Sequence, residues 1–126
     1  MSEGRHKRIE VEIQRALAEL VRSQVKDPRV GNVTITYVSL APDLKSARVF
    51  FVPFAASHAV AEVQAGLTHA AGFLRGEVGR RLGLRYAPRL DFRFDDSLDR
   101  AQRLSDLIEH AVGSREGDGQ ADDPAH

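Results

Sequence analysis

Arg75, Arg80, Arg81, Arg85, Arg89 and Arg93 fall within residues 75–93, opposed there only by Glu77 and Asp91. A guanidinium presents a planar fork of donors that matches phosphate oxygens, so arginine at this density suits contact with a phosphodiester backbone. A second basic run, Arg5, His6, Lys7 and Arg8, stands near the start of the chain. Around the first group lie Gly72, Gly76, Gly79 and Gly83. Glycine lets another backbone come close to a helix, but inside a helix each one costs about 1 kcal/mol relative to alanine. Four would cost on the order of 3–4 kcal/mol, a large share of a small domain's stability.

Catalytic chemistry finds less support. The chain has no cysteine, which removes thiolate catalysis, disulfides and cysteine-ligated zinc. The histidines His6, His58, His69, His110 and His126 show neither HxxxH nor HExxH spacing, and His58 and His69 read as surface residues. Asp95, Asp96 and Asp99 cluster as metal ligands would, yet capping and first-turn dipole compensation of a helix use the same carboxylates. No nucleophile–base pair or P-loop is visible. No catalytic residue, metal site or cofactor is expected, and the chain reads as a non-enzyme.

The elements that must carry these residues follow from apolar periodicity. Ile9, Ile13, Leu17, Leu20 and Val21 keep a 3.6-residue period and predict a helix over 5–26, stopped where Pro28 disfavours helical geometry at Asp27. "VTITYVSL" (33–40) and "SARVFFVPF" (46–54) are β-branched and aromatic strands joined by the short turn "APDLK". Helical spacing returns through Val60, Val63, Leu67, Ala70 and Ala71 and continues to Gly83, a natural C-terminal cap. "APRLDFRFDD" (87–96) alternates as a half-buried strand, with Leu90, Phe92 and Phe94 on one face. Asp96 or Ser97 caps a last helix whose apolar side holds Leu98, Ala101, Leu104, Leu107, Ile108 and Ala111. The order predicts an α+β domain with a three-stranded sheet and helices mainly on one face. The six Phe and two Tyr are expected mostly in the core.

At ~100° per residue, with Gly72 at zero, Gly76 falls near about 40°, Gly79 near about 340° and Gly83 near about 20°. Leu74, Val78 and Leu82 gather at about 200–280°, the expected core face. The glycines thus line one stripe flanked by Arg75 and Arg80. Such a stripe fits approach by a phosphate backbone, and it also fits close packing of a second helix. Capping accounts for Gly83 but not for Gly76 or Gly79.

Net charge is zero overall, but unevenly spread: residues 113–126 hold four acidic side chains and one arginine. That Gly-rich acidic tail is expected to be disordered, leaving residues 1–112 as a basic domain. The N-terminus lacks the apolar core of a signal peptide, and no apolar run approaches the ~20 residues that span a bilayer. A cytoplasmic protein with no membrane contact is expected.

"KDPRV" (26–30), "LAPDLKSARVFF" (40–51) and "AAGFLRGEVGRRLGLRYAPRLDFRFDDSL" (70–98), in this element order, resemble the bacterial ribosome-binding factor A family over residues 5–112. The resemblance implies a type II KH-like fold in which a helix kink at an Ala-x-Gly motif, here Ala70, Ala71 and Gly72, replaces the GxxG loop. "GEVG" (76–79) matches GxxG by letter, but Glu77 would aim a negative charge at phosphate from within a helix. The resemblance further implies binding to the free small (30S) ribosomal subunit and its 16S rRNA. It implies late subunit maturation, rRNA processing and growth in the cold without catalysis, and release by a GTPase. A monomer is expected. On this reading Arg5, Lys7, Arg8, Arg75, Arg80, Arg81 and Arg85 contact RNA phosphates, and Gly76, Gly79 and Gly83 form the close-approach strip. The alternative is a protein–protein docking adaptor of the same α+β fold.

Overall fold

The computed structural model describes residues 2–30, 32–53 and 59–116. Its elements are α1 (Ser2–Gln24), β1 (Val33–Leu40), β2 (Ser46–Pro53), α2 (Val60–His69), α3 (Ala71–Leu82), β3 (Arg89–Phe94) and α4 (Ser97–Glu116). The chain divides after Asp95: the α+β body precedes that point and α4 follows it. The order and the α+β class agree with the sequence reading. α1 begins and ends slightly earlier than expected, and α4 runs on past Gly113, where the acidic tail was expected to begin. Residues 117–126 of that tail lie outside the described residues, as do Phe54, His58 and His126.

The sheet has the order β1-β2-β3, antiparallel between β1 and β2 and parallel between β2 and β3. A parallel neighbour requires the chain to return along the whole sheet before entering again. One unbroken helix over residues 60–82 would run about 35 Å, well beyond the ~20 Å of a six-residue strand. The crossover is instead two helices meeting at Ala70, whose backbone (φ −88°, ψ 1°) leaves the helical region. Hydrogen bonding bridges the break. The Ala70 N–H donates to the Gly66 and Leu67 carbonyls, and the Ala70 carbonyl accepts the Leu74 N–H at 2.9 Å.

Alternation sends Ala47, Val49 and Phe51 of β2 and Leu90 and Phe92 of β3 to one face. There they meet Ile13, Leu17 and Leu20 of α1, Val63 and Leu67 of α2, and Leu74 and Val78 of α3. Burying each of these side chains contributes about 1.5–3 kcal/mol.

Helix side chains reach both sheet edges. Gln14 Nε2 donates to the Ile35 carbonyl at 2.7 Å, and Glu10 Oε2 accepts the Leu40 N–H at 2.8 Å, so α1 occupies polar groups of edge strand β1. On the other edge Gln64 Nε2 of α2 donates to the Phe92 carbonyl at 2.8 Å.

"KDPRV" forms a turn rather than a site. Pro28 presets its first corner, and the Val30 N–H donates to the Asp27 carbonyl at 3.0 Å. The Asp27 carboxylate accepts the Arg29 N–H, Nε and Nη2 at 2.9, 3.0 and 2.7 Å. This turn packs on buried Gly66 of α2, where an added Cβ would lie 2.9 Å from Val30 Cγ2 and 3.3 Å from Arg29 Cβ. Only glycine fits that contact without a shift. Gly66→Ala should therefore destabilise the fold by about 1–3 kcal/mol through overpacking, read as a lowered midpoint in urea unfolding.

Hydrogen bonds from the Arg29 side chain and backbone lower the Asp27 pKa to about 2. A depressed carboxylate stabilises the fold above its ordinary pKa, and that contribution disappears as pH falls through the folded value. Stability from this turn should fall between about pH 4 and pH 2. NMR titration of the Asp27 carboxyl should give a midpoint near 2 that moves up into the ordinary carboxylate range in Arg29→Ala.

Candidate nucleic-acid interface

α3 carries most of the residues that the sequence singles out, and its orientation follows from what it buries. Leu74 and Val78 are in the core, so the opposite side, with Gly72, Phe73, Gly76 and Arg80, faces outward and is exposed. A Cβ at Gly72 or Gly76 would meet nothing within 4 Å. The bare strip is open.

The other two glycines serve the chain itself. Gly83 adopts φ 66°, the left-handed cap conformation, and the Leu84 N–H closes back onto the Gly79 carbonyl at 2.9 Å. A Cβ at Gly79 would lie 3.2 Å from the Ala87 methyl, so the backbone approach there is made by the return loop to β3. Of the expected strip Gly76, Gly79 and Gly83, Gly79 is covered by the return loop, whereas Gly76 and Gly83 face open space; Gly83 is held by its left-handed backbone, and Gly72 joins Gly76 on the outward side of α3. The helix break falls at Ala70, with Ala71 and Gly72 in the first turn of α3.

The arginines divide in the same way. Arg75 Nε donates to the Ala87 carbonyl at 3.0 Å and holds the return loop. Arg80 pairs with Glu77 one turn earlier. Arg81 Nη1 reaches Glu19 of α1 at 2.9 Å, linking the two helices. The Arg85 guanidinium lies over the Tyr86 ring, 5.6 Å from its centroid. The carboxylate of "GEVG" thus neutralises an arginine of its own helix.

The N-terminal cluster lies on α1. Counting ~100° per residue from Glu19, Arg5, Arg8 and Arg15 fall within about 40° of it, while Lys7 sits about 120° away. Arg5 and Arg8 share the flank of α1 to which Arg81 is tied. Lys7 does not. Arg15, absent from the sequence assignment, extends that flank, and the helical period alone was enough to find it.

The aromatic residues depart from expectation. Phe51 and Phe92 are buried, but Tyr37, Phe73 and Tyr86 are 47, 48 and 78 % exposed. A β-bulge between Ile35 and Tyr37 turns Tyr37 out of the core side, and Phe73 lies beside the glycine strip. Neither is visible in the local apolar pattern, which treats every aromatic as a core candidate. The aspartates are engaged as well: Asp95 accepts the Thr36 hydroxyl at 2.6 Å, and Asp96 pairs with Arg100 at 3.1 Å at the start of α4.

A family model described as "Ribosome-binding factor A" matches residues 5–108. The chain belongs to the ribosome-binding factor A family. It is 46% identical over 109 residues to a ribosome-binding factor A of Azoarcus sp., covering 86% of both chains. It is 49% identical over 111 residues to that of Pseudomonas entomophila, covering 86% of this chain and 84% of the relative. The crystal structure of ribosome-binding factor A from Thermus thermophilus superposes with a TM-score of 0.63 at 28% identity, covering 70% of this chain and 93% of that one. A Thermus thermophilus ribosome-binding factor A fitted into the map of a 30S complex superposes with a TM-score of 0.59, also at 28% identity, covering 71% of this chain and 93% of that one.

In this member of the ribosome-binding factor A family, the open glycines cost helix propensity, and among the described residues nothing fills the space beside them. Gly76→Ala should raise the stability of the free protein by about 0.5–1 kcal/mol, because its Cβ enters empty space on a helix. Thermal unfolding of the isolated variant checks this.

Proposed function

We propose that this protein binds the free small (30S) ribosomal subunit and assists late maturation and processing of its 16S rRNA by binding energy alone. Membership of the ribosome-binding factor A family, with a Thermus thermophilus relative described in a 30S complex, carries this reading. The outward face of α3 supports the contact. Gly72 and Gly76 leave room for a sugar–phosphate backbone, and Arg80 stands beside them with a partner of low cost, since an exposed ion pair is worth about 0–1 kcal/mol. Arg81, Arg5, Arg8 and Arg15 continue the basic surface along α1, and Arg75 and Arg85 lie at the return loop to β3.

On this reading the protein works as a rigid wedge that favours one arrangement of rRNA. The substrate is held and not transformed. It acts as a monomer in the cytoplasm, and a GTPase assists its release from the subunit. No described helix is long and apolar enough to cross a membrane.

Binding to purified 30S subunits, followed by gradient sedimentation, tests the assignment. Arg80→Glu should weaken association at least about tenfold, the scale of a lost charge-assisted hydrogen bond, with an unchanged melting temperature. Gly76→Ala should weaken association while stabilising the free protein. Affinity should also fall with salt at a slope of about −0.7 per single-strand phosphate neutralised. Salt-independent binding, or wild-type affinity in both variants, would show that α3 is not the contact.

A further inference from the structure

The solvent face of the sheet is a separate surface. Alternation turns Arg48, Phe50 and Val52 of β2 and Arg89, Asp91 and Arg93 of β3 away from the core. The β1 bulge inserts one residue between Ile35 and Tyr37, so Thr36 and Tyr37 both lie on this side before Val38 turns back in. Bulges re-aim side chains in this way. Tyr37 lies opposite Phe50, their ring centroids 6.0 Å apart at 34°, and Phe50 in turn lies opposite Arg93. One row across the sheet therefore reads Tyr37, Phe50, Arg93.

The next row reads Ser39, Arg48, Asp91. Asp91 holds Arg93 at 2.8 Å. Among the described residues no hydrogen bond or ion pair engages the Arg48 or Arg89 guanidinium. Two uncommitted cations thus share this face with two aromatic rings, Arg48 one row and Arg89 two rows from the Tyr37–Phe50 pair. A cross-strand aromatic pair stabilises a hairpin on its own, but it does not require free guanidiniums on the same face. Aromatic rings that stack bases, with arginines that track the backbone, are the combination by which sheets bind single-stranded nucleic acid.

We propose that this face is a second RNA surface. Tyr37 and Phe50 stack unpaired bases, and Arg48 and Arg89 meet the flanking phosphates. The inference rests on the reading above, in which the protein acts on rRNA, and adds recognition of an unpaired stretch to the phosphate contacts of α3.

The test uses the full chain and two probes: a single-stranded oligoribonucleotide of about one site size, ~10 nucleotides, and purified 30S subunits. Tyr37→Ala should weaken oligoribonucleotide binding at least about fivefold, the lower end of the loss per stacked base, whereas Tyr37→Phe retains it. Arg48→Glu should weaken it to a similar degree. Both should also weaken 30S binding while remaining folded, and Tyr37→Phe, which keeps the ring pair, should retain both binding and the wild-type melting temperature. If wild type binds 30S subunits but Tyr37→Ala and Arg48→Glu bind both probes normally, the sheet face is not an RNA surface, and the α3 assignment stands. Loss of 30S binding in these variants without wild-type affinity for the oligoribonucleotide would assign the face to a protein and overturn the proposal. If wild type fails to bind 30S subunits at all, the functional reading itself falls.

Discussion

The parallel pairing of β2 and β3 is the constraint on which the rest of the structure depends. It obliges the chain to travel back along the sheet, and the distance is too short for one straight helix of the available length. The break at Ala70 resolves that mismatch and sends α3 along its own line, with Leu74 and Val78 inward. Everything argued about the outward face of α3 follows from this. Gly72 and Gly76 are open because they lie opposite the core residues, and Arg81 meets Glu19 because α3 packs beside α1. The position of Gly66 is tied to the same crossover, since α2 reaches its place only by resting on the turn that ends α1.

The arginines illustrate how an exposed basic surface is organised within a chain of zero net charge. Arg80 and Arg81 each hold a carboxylate from the same chain. Such exposed pairs contribute little to stability. Their effect is on conformation: a long side chain already held in one direction has less rotamer freedom left to lose in any further contact. Arg75 differs, because its hydrogen bond to the Ala87 carbonyl secures the loop into β3. Replacing it would disturb the frame as well as the surface.

Much of the fold was legible in the sequence, and the reasons are local. The alternation of Leu90, Phe92 and Phe94, the period of Ile9 to Val21, and the cap at Gly83 each depend on neighbours a few residues away. What escaped depends on contacts between distant segments. Gly66 attracted no notice beside the four glycines of residues 72–83, yet Val30 leaves it no room for a side chain. Gly79 resembled part of an external groove because its partner, Ala87, arrives only when the chain turns back. Tyr37 looked like a core residue because a β-bulge has no simple signature in alternation. The basic clusters were legible as composition. Their division, with Lys7 apart from Arg5 and Arg8, matters only once Arg81 is seen to meet Glu19 on one flank of α1.

The helix side chains on both sheet edges have a consequence for misassembly. An exposed edge strand is a template on which another chain can add, and β1 and β3 would each offer one. Here Gln14, Glu10 and Gln64 occupy carbonyl and amide groups along those edges, and all three side chains come from helices that also supply the core. These groups are freed by lifting α1 or α2 from the sheet, which exposes apolar surface at the same time. Protection against strand-wise aggregation is in this way linked to helix docking, and it lasts as long as the tertiary fold does.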